Sequence, residues 1–318
     1  MITVAVPDQE VADALGDLGD DVRLVLWSPK ETDAPEQERD RIDLVCVPHL
    51  HGGRHLYARM GACANLKVIQ IPSAGFEHVA HMVPDGVVLA NARGVHDTRV
   101  AEATLALALM ARRRLPQYVE AQQRGVWEQD PWTPSLADSR ALIVGYGSIA
   151  EAIAVRLRAC EVEVEGVARS ARTAPDGTIV HVVGDLPTLL PDFDLVVIVT
   201  PHDESTDKLV DAAFLAAMPD GALLVNVGRG KVVDTDALLD ELQSGRLSAA
   251  LDVTDPEPLP EGHPLWTAPN CLITPHIAGF EVLTNRRYTD LVRKQVEALR
   301  SGGEIVNAVM VGSAPRER

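Results

Sequence analysis

An arginine, a glutamate and a histidine in the second half of the chain each stand inside a short, specific motif. Arg229 lies in Val-Asn-Val-Gly-Arg-Gly (225–230), Glu257 in Leu-Asp-Val-Thr-Asp-Pro-Glu-Pro-Leu-Pro (251–260), and His276 in Leu-Ile-Thr-Pro-His-Ile-Ala-Gly (272–279). Together these types can hold an anion and move a proton. A guanidinium is permanently charged and forked, so it can grip a carboxylate and polarise a carbonyl. An imidazole is the natural acid/base near neutral pH. A carboxylate beside it orients the ring and pairs with its protonated form. Each motif follows an apolar run that reads as a buried strand, and in an open α/β sheet such strand ends gather around one crevice.

The elements that must position them read as βα units repeated in two series. Ile2–Val6, Val22–Leu26, Leu44–Val47, Val68–Ile71 and Val87–Leu89 are short buried strands of the first series. Ala141–Val144, Val162–Val167, Leu195–Val199, Leu223–Val227, Ala249–Asp252 and Leu272–Thr274 form the second, with crossover helices such as Ile149–Ala159 and Thr235–Ser244. Such continuous apolar strands separated by helical segments predict parallel sheets covered on both faces. A helix over Asp97–Arg124 is apolar almost all round from Ala101 to Met110, which predicts burial between domains, and Pro116 should kink or break it. Gly125–Ser139 reads as a linker. A last helix, Leu283–Arg300, leads to a strand at Ile305–Val309.

The first crossover of the second series carries Gly145-Tyr146-Gly147-Ser148-Ile149-Ala150, a G-x-G-x-x-A turn between strand and helix. Gly145 permits the tight turn, Gly147 lets a pyrophosphate approach the backbone, and Ala150 keeps helix and strand close. The helix start then offers amide donors to phosphate. This predicts a dinucleotide site. An NAD site needs an acid at the end of the next strand. Here that place falls near Ala168, followed by Arg169 and Ser170, a cation and a hydroxyl suited to a 2′-phosphate. NADP(H) is therefore the expected cofactor, with NAD(H) possible; the alternative leaves Arg169 as a solvated charge stacked on adenine.

Length and charge bound the rest. A chain of 318 residues suits two domains. The net charge of −17 argues against nucleic-acid binding and requires an anion site to supply its own local positive charge. The longest apolar stretch, 103–111, is too short to span a bilayer, and no signal peptide is visible at the N-terminus. Cys46, Cys63, Cys160 and Cys271 have no C-x-x-C spacing, which fits reduced thiols in a cytoplasm and argues against a zinc site.

With these motifs, His-Pro-Leu-Trp (263–266), Val-Ala-Glu-Ala-Thr (100–104) and Pro-Ser-Ala-Gly-Phe-Glu-His (72–78), the chain resembles the D-isomer-specific 2-hydroxyacid dehydrogenase family over nearly all its length. The 168–170 ending is similar to that of its NADPH-dependent glyoxylate/hydroxypyruvate reductases. The resemblance implies an α/β fold of two doubly wound parallel-sheet domains. A flavodoxin-like substrate domain (1–95 plus 284–318) would carry an inserted Rossmann cofactor domain (96–283), with a cleft between them. It also implies a homodimer acting on a small 2-keto or 2-hydroxy acid. Within it, Arg229, Glu257 and His276 are the catalytic set. Asp252 would bind the nicotinamide carboxamide or ribose, Val227 and Gly228 would line the nicotinamide, and Gly279 would be a further cofactor contact. Thr200 and Pro201 would border the adenosine or ribose.

The substrate carboxylate should meet Ser73-Ala74-Gly75, whose small side chains expose backbone amides in an anion nest. His49, His51, Arg54, Arg93 and Trp132 are weaker candidates for the substrate side. Leu136-Ala-Asp-Ser139 departs from the family's Leu-x-Gly, and Glu77 stands where an Asp is common. The Glu257–His276 set makes formate an unexpected substrate. Other readings of this fold are a dinucleotide-sensing corepressor or an enzyme for NAD-dependent oxidation of another small anion, such as phosphite.

Overall fold

The computed structural model describes residues 1–48, 53–130, 132–280 and 282–314. The chain divides into two compact units, residues 1–96 with 281–318 and residues 97–280. His49 and His51 lie outside the described residues.

The first unit begins with β1 (Ile2–Val6), α1 (Gln9–Leu15), β2 (Val22–Leu26), β3 (Leu44–Cys46), α2 (Arg54–Gly61), β4 (Val68–Gln70) and β5 (Val88–Ala90). Asp8 starts α1 by accepting a bond from the Val11 amide at 2.9 Å, and Gly16, at φ 62°, stops it.

The second unit opens with α3 (Asp97–Arg112) and α4 (Leu115–Gln123). It continues through β6 (Arg140–Val144), α5 (Ser148–Arg158), β7 (Glu163–Ala168), β8 (Arg172–Thr173), β9 (Ile179–Val182), α6 (Leu186–Leu189) and β10 (Leu195–Ile198). It ends with α7 (Ala212–Ala217), β11 (Leu223–Asn226), α8 (Thr235–Gln243), β12 (Ser248–Leu251) and β13 (Cys271–Ile273). The chain then returns to the first unit as α9 (Arg286–Ser301) and β14 (Ala308–Val311).

The first sheet has the order β14-β5-β4-β3-β1-β2, a flavodoxin-like 2-1-3-4-5 arrangement with β14 added antiparallel to β5. Alternate strand residues face opposite layers. Ala5, Val45, Ile69 and Leu89 pack with Leu56, Tyr57 and Met60 of α2. Val4, Leu44, Val68 and Ala90 pack with α1 and with Tyr288, Leu291, Val292 and Val296 of α9. Both faces are buried, which is why these strands read as unbroken apolar runs. Each fully buried aliphatic side chain contributes roughly 1.5–3 kcal/mol.

The second sheet has the order β13-β12-β11-β10-β6-β7-β9-β8, parallel except for β8 on β9. This is the doubly wound Rossmann order, reversing between β6 and β10. One face packs on α3 and α5 through Ile143, Val197 and Val225, and the other on α6, α7 and α8 through Leu142, Ile198 and Leu224.

Several expectations are corrected in detail. The helix over 97–124 is two helices. It breaks at Arg114, which adopts φ 50°, so that Pro116 falls in the first turn of α4 where no amide is needed. In α3 Val100, Ala101, Thr104, Leu107 and Ala108 are buried, while Ala106 is exposed, so the helix is not buried all round. Gly125–Ser139 lies wholly inside the second unit. The last strand starts at Ala308, because Asn307 takes φ 55° and cannot lie in a ladder. Among the described residues no helix is long and apolar enough to cross a membrane.

Candidate functional site

The glycine turn sits where the second sheet reverses. Gly145 follows β6 with φ 97°, and a Cβ on it would lie 2.8 Å from the Thr200 backbone nitrogen, just beyond β10. A Cβ on Gly228, beyond β11, would lie 2.7 Å from the Thr200 carbonyl. Two glycines thus close on Thr200, and no larger residue fits at either place. The Thr200 Oγ1 is buried and has no hydrogen-bond partner among the described residues. Gly147 leads into α5 without a side-chain cap, so the first-turn amides of Ser148 and Ile149 keep their donors for an outside acceptor. Ala150 is 1% exposed and packs directly under the turn. An orphaned hydroxyl, uncapped amides and a turn that excludes side chains fit a dinucleotide phosphate.

Tyr146 contributes only its backbone to this turn. Its ring is buried against Gly166, where a Cβ would lie 2.3 Å away, and its hydroxyl bonds Asp176 at 2.9 Å and Thr178 at 2.6 Å. Burial pushes the phenol up to about 12. Past β7, Arg169 is 81% exposed and pairs with Asp203 at 2.7 Å, and Ser170 is exposed. Hydrogen bonds from Ser205, with Arg169 beside it, hold the Asp203 carboxyl below the usual range. Arg172, beyond the residues singled out in the sequence, reaches back to the turn: its Nη2 donates to the Tyr146 carbonyl at 2.6 Å. Its signal was a second guanidinium three residues beyond Arg169. Pro201 is exposed, and its carbonyl accepts a bond from Thr206 at 2.9 Å.

Arg229, Glu257 and His276 follow β11, β12 and β13, three neighbouring parallel strands. The Arg229 turn is braced by Asn226, 1% exposed, which sequence reasoning passed over within its motif. Asn226 Oδ1 accepts from the Gly228 amide and its Nδ2 donates to the Arg229 carbonyl, both at 3.0 Å. Arg229 is half-buried, and its Nη1 donates to the Gly228 carbonyl at 2.8 Å. Val227 beside it is buried. Gly230 brings this turn against the loop after β12, which is tied by Thr235 to the Asp255 carbonyl at 2.8 Å and by Thr254 to the Pro256 carbonyl at 2.9 Å. That loop carries Glu257, whose Oε1 meets His276 Nδ1 at 2.5 Å. Both side chains are partly exposed, 49% for His276 and 40% for Glu257, so solutes can reach the pair.

His276 itself has φ 53°, a left-handed backbone that a residue with a Cβ adopts only when its surroundings impose it. The surroundings are Asp252. Its backbone carbonyl accepts from the His276 amide at 2.8 Å. Its carboxylate, 2% exposed, accepts from Thr274 Oγ1 at 2.6 Å, Ile277 N at 3.0 Å and Ala278 N at 2.9 Å. The Asp252 carboxylate, expected at the nicotinamide, is buried and holds the histidine loop. Gly279 lies half-buried in the turn closed by Phe280 N on the Ile277 carbonyl at 3.1 Å.

The remaining candidates fall elsewhere. Ser73, Ala74 and Gly75 are half-exposed in the first unit, with Ser73 Oγ donating to the Gly75 carbonyl at 2.8 Å. Arg54 begins α2 and is exposed, as is Arg93. Trp132 belongs to the second unit and is 87% exposed.

Comparison with known proteins gives one consistent result. A family model described as D-isomer specific 2-hydroxyacid dehydrogenase, NAD binding domain, matches residues 105–278. The glyoxylate reductase of Thermofilum pendens is 32% identical over 307 residues, 92% of this chain and 89% of that protein. The human glyoxylate reductase/hydroxypyruvate reductase is 34% identical over 274 residues, 81% of this chain and 82% of that one. Among solved structures, the NADPH-dependent glyoxylate/hydroxypyruvate reductase of Sinorhizobium meliloti, in complex with citrate, superposes with a TM-score of 0.77 at 27% identity, covering 99% of this chain and 100% of that one.

Proposed function

The chain belongs to the D-isomer-specific 2-hydroxyacid dehydrogenase family, and on that premise we propose that it is an NADPH-preferring reductase of small 2-keto acids, with glyoxylate and hydroxypyruvate as leading substrates. The observation that carries this reading is the 2.5 Å contact between His276 Nδ1 and Glu257 Oε1. With Nδ1 engaged, Nε2 is the nitrogen left to exchange a proton with substrate.

When bound, a reduced nicotinamide would supply the hydride. The chain's own residues do the rest. Protonated His276 gives its proton to the C2 oxygen as that atom gains charge, so keto acid, hydride and one proton become the hydroxy acid. Glu257 fixes the ring and pairs with the imidazolium before transfer. Arg229 holds the carboxylate and polarises the C2 carbonyl. The amides of Ser73–Gly75, in the first unit, would offer donors to a carboxylate. Asp252 acts on the reaction through the loop it anchors.

The NADPH preference is supported by the residues at and beyond the end of β7. No acid stands at Ala168, and Arg169, Ser170 and Arg172 supply cations and a hydroxyl where a 2′-phosphate would sit. The S. meliloti relative is NADPH-dependent. Four free cysteines fit a reducing compartment, and we assign the protein to the cytoplasm. A homodimer would cover exposed apolar side chains such as Trp127 and Val119.

The test measures absorbance of the reduced nicotinamide while the protein is mixed with NADPH or NADH and a panel of glyoxylate, hydroxypyruvate, pyruvate and longer 2-keto acids. Oxidation of NADPH by glyoxylate or hydroxypyruvate is the expected result. Faster turnover with NADH overturns the cofactor preference; no turnover with any keto acid overturns the substrate reading.

A further inference from the structure

Four consecutive carbonyls of the Ser73 loop are each occupied by a donor from the protein. Pro72 O bonds His96 Nε2 at 2.5 Å, Ser73 O accepts from the Ala92 amide at 2.9 Å, Ala74 O from Asn91 Nδ2 at 2.6 Å, and Gly75 O from Ser73 Oγ at 2.8 Å. Three of these donors come from one short turn, residues 91–96, just past β5. The amides of Ser73, Ala74 and Gly75 donate to no group among the described residues. The loop's acceptors are therefore all satisfied internally while its donors remain available, as an anion site requires.

His96 makes the point most clearly. It is 7% exposed. A carbonyl only accepts, so Nε2 carries a proton. The ring's Nδ1 is buried with no partner among the described residues. A leucine would fill the same space and leave no orphaned atom, so packing alone does not explain a histidine here. Its bond to Pro72 does.

We propose that His96 and Asn91 are positioning residues for anion binding: by capturing the carbonyls of Pro72 and Ala74 they fix the loop with its free amides available to the substrate carboxylate. This rests on the reductase reading. Neither residue touches substrate; both act through the backbone of the loop.

The test compares wild type with His96→Leu, His96→Gln and Asn91→Asp, measuring KM for the best keto acid of the panel, KM for NADPH, kcat and Tm. His96→Leu removes the donor at similar bulk. His96→Gln restores an N–H near the Nε2 position. Asn91→Asp sets a carboxylate against the Ala74 carbonyl and keeps the acceptor used by the Arg93 amide. The expected result is a rise of about tenfold in keto-acid KM for His96→Leu and Asn91→Asp, with NADPH KM within about twofold and recovery in His96→Gln. Unchanged keto-acid KM overturns the inference. So does a parallel rise in both KM values with a fall in Tm that glutamine does not recover.

Should wild type turn over no keto acid, calorimetric titration with oxalate separates the two ideas. Oxalate binding by wild type and loss of it in His96→Leu upholds the positioning role without the reductase reading. Equal binding by both, or by neither, overturns it.

Discussion

Gly230 and Thr254 meet backbone to backbone, so closely that a Cβ on the glycine would stand 1.8 Å from the Thr254 carbonyl oxygen. The contact lies between the turn that presents Arg229 and the loop that presents Glu257. Gly230→Ala is therefore expected to push the two apart and cut kcat/KM by about a hundredfold or more, since misplacement by about an ångström is enough for that. Steady-state kinetics with circular dichroism checks it; near-normal activity would show that the spacing of the two motifs is not critical.

His276→Asn removes the acid/base and should lower kcat by about 10²- to 10⁴-fold. NADPH binding, read by fluorescence titration, should persist. Glu257→Gln should act through the same pair, so the double variant should be little worse than His276→Asn alone. Full additivity of the two losses would mean that the contact of 2.5 Å does not operate as a unit.

Asp252→Asn keeps the size of the side chain but turns an NH2 toward one of the donors now served by a carboxylate. Losing charge-assisted bonds of this kind costs about 1.5–3 kcal/mol. The expected outcome is a lower Tm and a kcat loss through the His276 loop, with coenzyme KM nearly unchanged. A large rise in coenzyme KM alone would mark Asp252 as a direct coenzyme contact.

The Arg169–Asp203 pair competes with any phosphate for the guanidinium. Asp203→Asn should therefore lower the KM for NADPH by about two- to fivefold with little effect on NADH, because an exposed pair is worth only about 0–1 kcal/mol. Arg169→Ala should weaken NADPH more than NADH. Equal effects on both coenzymes would remove the 2′-phosphate argument.

Asp176 supplies a pH prediction. Burial alone would raise its carboxyl, but bonds from Thr178, Arg158 and Tyr146 outweigh that and hold it well below its ordinary 3.8. A carboxyl depressed on folding stabilises above its unfolded value and loses that contribution as pH falls toward the folded one. Asp176→Asn should thus lower Tm at neutral pH, with the gap to wild type closing below about pH 4. A gap independent of pH would mean that the charge contributes nothing.

What was legible in the sequence is what periodicity and local chemistry encode. The strands of both series were visible because double burial makes each a continuous apolar run, and the G-x-G-x-x-A turn because its glycines answer a local demand. The hairpin of β8 and β9 was missed: Arg172–Thr173 is two residues long and exposed, and Ile179–Val182 is only half-buried, so neither shows the apolar signal. The commitment of Asp252 was equally invisible. Its partners, Thr274, Ile277 and Ala278, lie more than 20 residues away and include two backbone amides, which carry no mark in the sequence. The left-handed His276 could not be read either, since its neighbours include no residue that demands it.

The first unit owns both ends of the chain, and this bears on how the molecule is made. Residues 97–280 can collapse around a complete sheet as soon as they leave the ribosome. The first unit, though begun earlier, must wait for α9 and β14. Until Gln295 arrives to bond Gln70, 225 positions upstream, one face of its sheet is covered by α1 alone, and Val4, Leu44 and Val68 lack Tyr288 and Val292. The order of synthesis is thus the reverse of the order of completion. During synthesis the strands of the first unit thus stay partly uncovered longer than those of the second.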